Sequence, residues 1–456
     1  MFTYVELENF KSFGKIKFDF KKTKNEFKKF VAIYGENGSG KSNFVSTIEL
    51  LSQLLTSFSN RDYRLRQIQS MANDETQKQE LVNQIISGKI NIGDVYVNLK
   101  KYRMLNCSEP TKITYGFLIN GIEGYYSISF NDDYIINEEL YYMNSKQRGV
   151  LFNISKEDNI KVKISPTLFN DDKFEKELNN QIEMFWGKYT FLSILLGEKK
   201  DKNIEYINNT ISHHLLNVIN SFMHIFVLCK DSPYSHIQII TGPNVKIRNL
   251  SRVHVDPNNK NHYIHLKKME KIIKDFYTQA YSDIVDIYYD LNTSFSNNDN
   301  MEEYVLYVKK IIAGKTRVIP FGLESSGTQS VLSVLRAIIE AIDGNTVIYD
   351  EIDNGIHDLL MKNALISLQE EIKGQLIITT HNTLLLEGID SKSAYVIYTD
   401  YDGNKEARCF DDYDVRIQTS NNQRRLYLNG VFGGIPYSSE IDYSRMHMSE
   451  TGTMEE

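Results

Sequence analysis

The residues whose types and spacing could do chemistry begin at Val31 to Ser42, VAIYGENGSGKS. A short apolar run leads into a glycine-rich turn, and the turn leads into a helix. Gly35 and Gly40 bracket Glu36, Asn37, Gly38 and Ser39, and Lys41, Ser42 and Asn43 follow. This is the phosphate-binding loop pattern. Glycines let the backbone curl so that successive N–H groups point inward at phosphate oxygens. The helix from Lys41 adds the positive end of its dipole. In such a loop Lys41 reaches the β- and γ-phosphates and the Ser42 hydroxyl holds Mg²⁺. The pattern fixes few positions, and a strand–helix turn that binds nothing can also satisfy it. Three later stretches decide between the two.

The first is TVIYDEID, Thr346 to Asp353. An apolar strand delivers Asp350 and Glu351 side by side, the form of a Walker B motif. Asp350 would bind the hydration shell of Mg²⁺, and Glu351 would polarise the attacking water as general base. An acidic strand end capping a helix is the plainer alternative. The second is LESSGTQS, Leu323 to Ser330, just before a helical run from Val331. Its small residues, free N–H groups and helix dipole suit an anion, although alone it reads more readily as a helix cap. Ser325, Ser326, Gly327 and Gln329 are its candidate ligands. The third is IITTHN, which sets His381 directly after an apolar strand, about 30 residues past the acidic pair. A lone histidine is more often structural, but one in this place fits a switch histidine that contacts a γ-phosphate. Phosphate loop, small-residue loop, acidic pair and histidine follow one another in the order an ABC-type nucleotide-binding domain requires.

The elements that must position these groups are legible to different degrees. Phe2 to Phe10 and Lys15 to Phe20 alternate as two strands joined by a turn at Lys11 to Gly14. Lys21 to Lys29 reads as a solvated basic loop, and Phe30 to Tyr34 as the strand feeding the phosphate loop. Phe44, Val45, Ile48, Leu51, Leu54, Leu55 and Phe58 keep helical spacing, and Arg61 to Ser87 continues as a polar helix. Val95 to about Ile164, rich in Tyr, Ile and Phe and broken by turns such as Asn120-Gly121, predicts an antiparallel sheet, with Gln147 to Asn159 as loop. Phe174 to Cys229 reads as helical, with Phe185 to Leu196 and His213 to Leu228 as buried helices. Asp231 to Asn261 reads as loop or ragged strand. Met269, Ile272, Ile273, Phe276, Ala280, Ile284, Ile287 and Leu291 form one helical stripe, and Asn292 to Asn300 a polar break. Further on come a helix from Val331 to Ile342, a strand from Thr346 to Tyr349, a helix from Asp358 to Ile372 and a strand from Leu376 to Thr379. A hairpin of Ala394 to Tyr398 and Ala407 to Phe410 turns at Tyr401 to Asn404.

Composition narrows the function classes. Acidic residues outnumber basic ones, 59 to 52, giving a net charge of −7. That argues against a wholesale nucleic-acid binder and leaves room for a local basic groove. Cys107, Cys229 and Cys409 are far apart and form no C-x-x-C pair, which argues against zinc and against a disulfide framework. There is no charged-then-apolar leader and no apolar run of about 18 residues, so the expected location is cytoplasmic, without a membrane partner.

The chain resembles the ABC-ATPase branch that holds the SMC and RecF proteins. More closely it resembles the OLD-like ATPases (AAA family 15) of bacterial anti-phage and abortive-infection systems. The matching stretches are ENFKSFGK at the start, GENGSGKSN, ESSGTQS, DEIDNGIHDLL, TTHN and RLYLNGVFGGIP near the end. SMC-type chains carry an aspartate where His357 stands; the histidine and the last stretch favour the defence-type branch. The resemblance implies an α/β fold: an ABC-type ATPase head, with a phosphate-loop parallel sheet and an antiparallel β-subdomain, interrupted by a helical and β insertion. Its halves would be residues 1–60 and 318–436. The insertion, 61–317, would hold a sheet lobe at about 95–164 and a helical lobe at about 174–312, and 437–456 would be a flexible tail. Lys41 and Ser326 stand about 285 residues apart, more than transporter subunits use, yet the insertion lacks the heptads of long coiled-coil arms.

The resemblance also implies the assembly. ATP and Mg²⁺ would lie between two copies of the chain, in a homodimer or higher homo-oligomer. One subunit would supply Gly35 to Asn43, Asp350, Glu351 and His381, and its partner Ser326 and Gly327. Lys11 and Ser12 would touch the nucleotide. No glutamine can be assigned as the Mg²⁺-sensing one. The implied function is a slow, regulatory ATPase acting as sensor and scaffold of an abortive-infection system. It would gate a toxic partner encoded nearby, a Toprim-type or other nuclease, as in the ATPase subunits of PARIS-like pairs. The alternative is a RecF-like DNA-binding ATPase of DNA repair, for which Lys21 to Lys29 and Lys267 to Lys274 are the basic clusters. Asp400-Tyr401-Asp402 has the D-x-D form of a Toprim nuclease, but its place before Gly403 in a hairpin reads as a turn.

Overall fold

The computed structural model describes residues 1–71, 96–200, 202–229, 250–292, 301–413 and 422–435. Five consecutive buried residues, Phe30–Tyr34, reveal the architecture. Side chains alternate across a strand, so burying all five needs a packed layer on each face. Val31 and Ile33 enter one core, and Phe30, Ala32 and Tyr34 enter another.

In chain order the strands are β1 (Phe2–Phe10), β2 (Phe13–Asp19), β3 (Lys21–Thr23), β4 (Glu26–Phe27), β5 (Phe30–Tyr34), β6 (Thr111–Ile119), β7 (Ile122–Phe130), β8 (Ile135–Asn144), β9 (Gln147–Lys156), β10 (Ile160–Ile164), β11 (Ile225–Leu228), β12 (Arg252–Val255), β13 (Ile284–Leu291), β14 (Glu302–Ile312), β15 (Lys315–Pro320), β16 (Thr346–Tyr349), β17 (Gln375–Thr379), β18 (Ala394–Thr399) and β19 (Lys405–Cys409). The helices are α1 (Lys41–Met71), α2 (Asp172–Phe185), α3 (Phe191–Lys200), α4 (Ile204–Thr210), α5 (His213–Met223), α6 (Lys260–Ala280), α7 (Ser326–Ile342), α8 (Asp358–Leu368) and α9 (Gln423–Leu428).

The central sheet runs β11-β16-β17-β5-β18-β19, parallel throughout except for the antiparallel edge β19. On one face lie α1 and a seven-stranded antiparallel sheet, β10-β9-β8-β7-β6-β1-β2. On the other lie α7, α8, α6 and a smaller sheet in which β14 pairs with β12, β13 and β15. Gln375, fully buried on β17, clamps the two larger sheets: its carboxamide accepts from Phe2 N–H at 2.7 Å and donates to Phe2 O at 2.9 Å. Tyr115 of β6 ties the antiparallel sheet to α1 by donating to Thr47 O at 2.6 Å. The fold is α/β, a phosphate-loop parallel sheet beside an antiparallel sheet, as expected. Among the described residues no helix is long and apolar enough to cross a membrane.

The structure departs from the sequence reading in the middle of the chain. The antiparallel sheet is not a lobe of its own, because β6 pairs with β1 and the first two strands complete it. Gln147 to Lys156 is a strand, not loop, with Leu151, Phe152 and Ile154 buried. The helix expected to end at Leu228 stops at Met223, and Ile225–Leu228 becomes β11, parallel to β16. The long stripe from Met269 breaks after Ala280, and Ile284, Ile287 and Leu291 belong to β13. A register shift between Ile284 and Asp286 is the reason. A bulge inserts one residue, so Ile284 and Ile287 face the same core at the i, i+3 spacing of a helix. The region expected to be a helical lobe therefore contributes strands to two sheets. The basic loop at Lys21 to Lys29 holds the exposed hairpin β3–β4. The parts of these expectations that fall on residues 72–95, 230–249, 293–300 and 436–456 lie outside the described residues.

Phe185 to Leu196, read as one helix, is two. The break at Trp186 to Thr190 forms around Glu138 of β8, which is fully buried. Its carboxylate accepts from Tyr126 Oη at 2.8 Å, Trp186 Nε1 at 2.8 Å, Phe191 N at 2.6 Å and Leu192 N at 3.3 Å. It thereby caps α3 from another element. Burial pushes its pKa up, and the four donors oppose that shift. Glu138→Gln keeps the shape but offers one acceptor oxygen to four donors. It should lower unfolding stability by about 2–4 kcal/mol in urea titration; a loss under about 0.5 kcal/mol would mean that the carboxylate is not what holds the break.

Candidate functional site

The site lies at the C-terminal ends of the parallel strands, where open α/β sheets bind ligands. β5 ends at Tyr34 and the loop begins at Gly35. Phe44 N–H donates to Gly40 O at 2.9 Å, which starts α1. Gly40 has φ +112°, and a Cβ there would lie 2.5 Å from the Phe13 ring. The opening turn thus forms the floor of the loop and admits only glycine at that position. Lys41 is buried, and its ammonium donates to the loop's own carbonyls, Gly35 O at 2.8 Å and Glu36 O at 3.0 Å. Burial lowers its pKa, while Asp350, Glu351, Asp353 and Glu36 pull it back up. Ser39 Oγ is buried without a partner.

Asp350 ends β16 beside this loop. Its N–H donates to Leu228 O at 2.9 Å, and its carboxylate accepts from Thr379 Oγ1 at 2.6 Å and from the Ser42 hydroxyl. Burial raises its pKa, and those two hydroxyls oppose the rise. The Thr379 hydroxyl also accepts from Glu351 N–H at 2.8 Å. One threonine on β17 thus aligns both acidic residues. Glu351 sits at φ +50°, the left-handed region, which is costly for a side-chain-bearing residue. Asn354 Nδ2 donates to its carboxylate at 3.3 Å.

His381 follows β17, and its N–H donates to Asp353 Oδ2 at 3.2 Å. Burial and then Lys41 hold its pKa below the ordinary value, and Asp353, Glu351 and Asp350 act against them. Asn382 Nδ2 donates to Asp358 O at 2.9 Å and its carbonyl accepts from Tyr34 Oη at 3.2 Å, so TTHN locks the ends of β5, β16 and β17 together.

The small-residue loop is placed differently. Ser325 is the N-cap of α7, with its hydroxyl accepting from Thr328 N–H at 3.2 Å. A Cβ on Gly327 would lie 2.4 Å from Gly355 O, so this loop packs on the segment after Glu351. Ser326 is exposed. The Gln329 amide nitrogen donates to Gly322 O at 3.1 Å and Glu324 O at 2.8 Å within its own loop. Among the described residues no hydrogen bond joins residues 323–330 to residues 35–43. Lys11 is likewise engaged elsewhere: its ammonium donates to Ser46 Oγ at 2.9 Å and lies 5.4 Å from the Tyr102 ring centroid. Ser12 does border the loop, accepting from Asn43 Nδ2 at 2.8 Å and from Lys405 Nζ at 2.9 Å. His357 N-caps α8 through its ring, a task an aspartate performs equally well.

Sequence reasoning missed Thr379, Asp353, Lys405 and Tyr427. Thr379 stood in the quoted TTHN, and Tyr427 in RLYLNGVFGG. The Tyr427 hydroxyl accepts from Gly35 N–H and donates to Gly434 O at 2.9 Å, and its ring packs against Tyr34 and Phe410. The stretch near the C-terminus thus buttresses the first glycine of the phosphate loop. Asp400-Tyr401-Asp402 is a turn: the Asp400 carboxylate accepts from Asp402 N–H, Asn404 N–H and Asn404 Nδ2.

The arrangement fits a nucleotide phosphate chain and Mg²⁺. The loop has a floor that excludes side chains, a buried cation whose only hydrogen-bond acceptors among the described residues are neutral carbonyls, and an orphaned hydroxyl. Ser42 and Asp350 bring two hard oxygen donors together. Among the described residues no cluster of three His, Cys, Asp or Glu forms a metal site, and Mg²⁺ in phosphate sites needs few protein ligands beside phosphate and water.

Residues 212–387 match the family described as "AAA domain, putative AbiEii toxin, Type IV TA system". No curated protein matches the chain. Among solved structures, an SMC head bound to the C-winged helix domain of ScpA overlays with a TM-score of 0.45 at 15% identity, covering 89% of this chain and 97% of the other. The SMC head domain from Thermotoga maritima gives 0.37 at 11%, covering 90% and 98%. An Smc head with an extended coiled coil, bound to the C-terminal domain of ScpA derived from Pyrococcus furiosus, gives 0.40 at 16%, covering 89% and 95%. The AAA match spans α5 to the histidine loop.

The left-handed backbone at Glu351 has a measurable cost. Glu351→Gly should be more stable than Glu351→Ala by about 0.5–1 kcal/mol, the left-handed penalty less glycine's added chain entropy. Chemical unfolding of the two variants measures the difference; equal stabilities would show that the conformation is not strained.

Proposed function

We propose that this chain binds and slowly hydrolyses ATP at sites completed between subunits, and that it serves as sensor and scaffold of an anti-phage, abortive-infection system. The observation that carries the ATPase reading is the convergence of Lys41, Ser42, Asp350 and Glu351 at one sheet edge, tied by Thr379. The ATPase is assigned to residues 1–60 and 318–436, with β11 from the intervening segment added to its sheet.

The roles follow from position. Backbone N–H groups of Gly35 to Asn43 and the Lys41 ammonium bind the phosphates. Ser42 and Asp350 would hold Mg²⁺, which would supply charge neutralisation to the phosphates. Glu351 orients a water and takes its proton as the oxygen attacks the γ-phosphorus and the bond to ADP breaks. His381, whose pKa burial and Lys41 hold below the ordinary value, donates to the γ-phosphate. Ser326 and Gly327 of a second copy close the site. In its own chain their loop makes, among the described residues, no hydrogen bond to residues 35–43, which supports a site shared across subunits in a homodimer or larger homo-oligomer. Held this way, ATP makes two chains grip each other, and hydrolysis releases the grip.

The defence role is supported by the description of the matched family, which names a toxin of a type IV toxin–antitoxin system, and by the OLD-like motif set. The D-x-D stretch here is a turn, so a toxic activity falls to a partner, a Toprim-type or other nuclease encoded nearby. A second reading, a RecF-like DNA-binding ATPase, is favoured by one feature. A cleft of about 340 Å³ is lined by Lys24, Lys146 and Arg148, with Glu123 as its one acid. Glu123 is engaged by Lys21 at 2.8 Å and lies 3.7 Å from Arg148.

Glu351→Gln should abolish ATP turnover while leaving ATP bound and a dimer stabilised, read by phosphate release and by light scattering with ATP. Unchanged turnover in that variant would remove Glu351 as the base. In cells, protection against phage should require the neighbouring effector gene, and protection by this chain alone would overturn the partner model. Duplex DNA affinity that strengthens with ATP and falls steeply with salt would select the RecF-like reading; none at low salt would remove it.

A further inference from the structure

Lys405 is the first residue of β19, and its place is rigid. It pairs with Thr399 of β18, and β18 pairs in turn with β5, the strand that feeds the phosphate loop. The turn between them is locked by Asp400, which accepts from Asp402 N–H at 2.9 Å, Asn404 N–H at 2.7 Å and Asn404 Nδ2 at 3.0 Å. The hairpin thus delivers one ammonium to a fixed point. There Lys405 Nζ donates to Gly38 O at 2.8 Å and to Ser12 Oγ at 2.9 Å, and lies 5.7 Å from the Phe13 ring centroid.

These partners are neutral. Among the described residues no carboxylate lies within ion-pair distance of Lys405, whereas Lys274, Lys310 and Lys362 each find one. Burial lowers its pKa, with Glu36 acting against that. A half-buried cation on a carbonyl and a hydroxyl is poorly compensated compared with the same cation on an anion. Lys41 grips the loop from within, at Gly35 O and Glu36 O, and Lys405 grips it from outside, at Gly38 O. Two cations bracketing one glycine-rich loop suit a polyanion better than a single phosphate. Lys11, the other lysine at the opening turn, is turned away to Ser46.

We propose that Lys405 is a second phosphate-binding cation of this site, poised to exchange Gly38 O and Ser12 Oγ for an oxygen of a nucleoside polyphosphate. The inference rests on the nucleotide-binding reading above. It assigns the opening turn an indirect part: Ser12 and Asn43 hold Lys405 in place until the ligand arrives.

The test is calorimetric titration of the full chain with ATP and with inorganic tripolyphosphate. Lys405→Met should weaken both at least about tenfold, the size of a lost charge-assisted bond. Lys405→Arg should stay within about threefold of the parent, and the ligand-free melting temperatures of all three should agree. ATP affinity unchanged in Lys405→Met overturns the proposal. So does equal weakening in both variants, which would assign Lys405 to shape rather than charge, and so does weakening that tracks a lowered ligand-free melting temperature. Lys41→Ala separates the two levels of inference. If the parent binds ATP and Lys41→Ala does not, a null result at Lys405 sinks this proposal alone; if the folded parent binds neither ligand, the nucleotide reading fails with it.

Discussion

The structure depends on the registration of four strand ends around one carboxylate. Asp350 takes its backbone position from Leu228 on β11 and its side-chain position from Thr379 on β17 and Ser42 at the head of α1. A hydroxyl can serve the carboxylate only if β16, β17 and β5 end at the same height. Parallel pairing supplies this: Ile348 aligns with Ile377 and Ile377 with Val31, so each strand reaches the loop edge together. The burial of all five β5 residues then follows, since a strand in the middle of such a sheet needs cover on both faces. The seven-stranded sheet, the amide clamp at Gln375 and the arch of α1 cover one side; α7 and α8 cover the other.

The same geometry links places that look separate in the chain. Gly327 meets Gly355 with no room for a methyl group, and Asp353, two residues before Gly355, holds His381 by its N–H. A shift of the small-residue loop would therefore press on the segment that carries Glu351 and Asp353. This route is short, packed and built of backbone.

What was legible in the sequence was chemistry set by neighbours in the chain. The phosphate loop, the Asp350–Glu351 pair, the TTHN turn and the hairpin turn at Asp400 all depend on residues within a few positions. What was not legible depends on partners far away. Ile225–Leu228 is an apolar run that continues a helix smoothly, and only the free edge of β16 makes it a strand. The bulge at Ile284–Asp286 copies helical spacing inside a strand, so periodicity alone selects the wrong element. Glu138 breaks a helix that local propensity would extend, by offering acceptors from another sheet. Among site residues, the resemblance implied Lys11 and Ser12 at the nucleotide, yet the Lys11 ammonium donates to Ser46. The cation that reaches Ser12 is Lys405, through a contact nearly four hundred residues distant in sequence.

The site also carries costs that the fold could have avoided. Lys41 is buried against carbonyls, Glu351 has a left-handed backbone, and Ser39 Oγ and Asp353 Oδ1 are buried with no partner. The first three would be relieved by a small change: a shorter side chain at position 41, glycine at 351, alanine at 39. Away from the site, Glu138 is fully satisfied by its four donors, while Arg103 Nε, His262 Nε2 and Gln423 Oε1 are also buried without a hydrogen-bond partner. What sets the site apart is the combination: an orphaned Ser39 hydroxyl beside a buried cation and a left-handed glutamate, as expected where a ligand supplies the missing partners. A polyanion would compensate Lys41 and offer acceptors to Ser39, and a second subunit's loop could reach what the phosphates do not. The stability withheld from the free chain would then reappear as affinity, and the assembly would hold firmly only in the presence of its nucleotide.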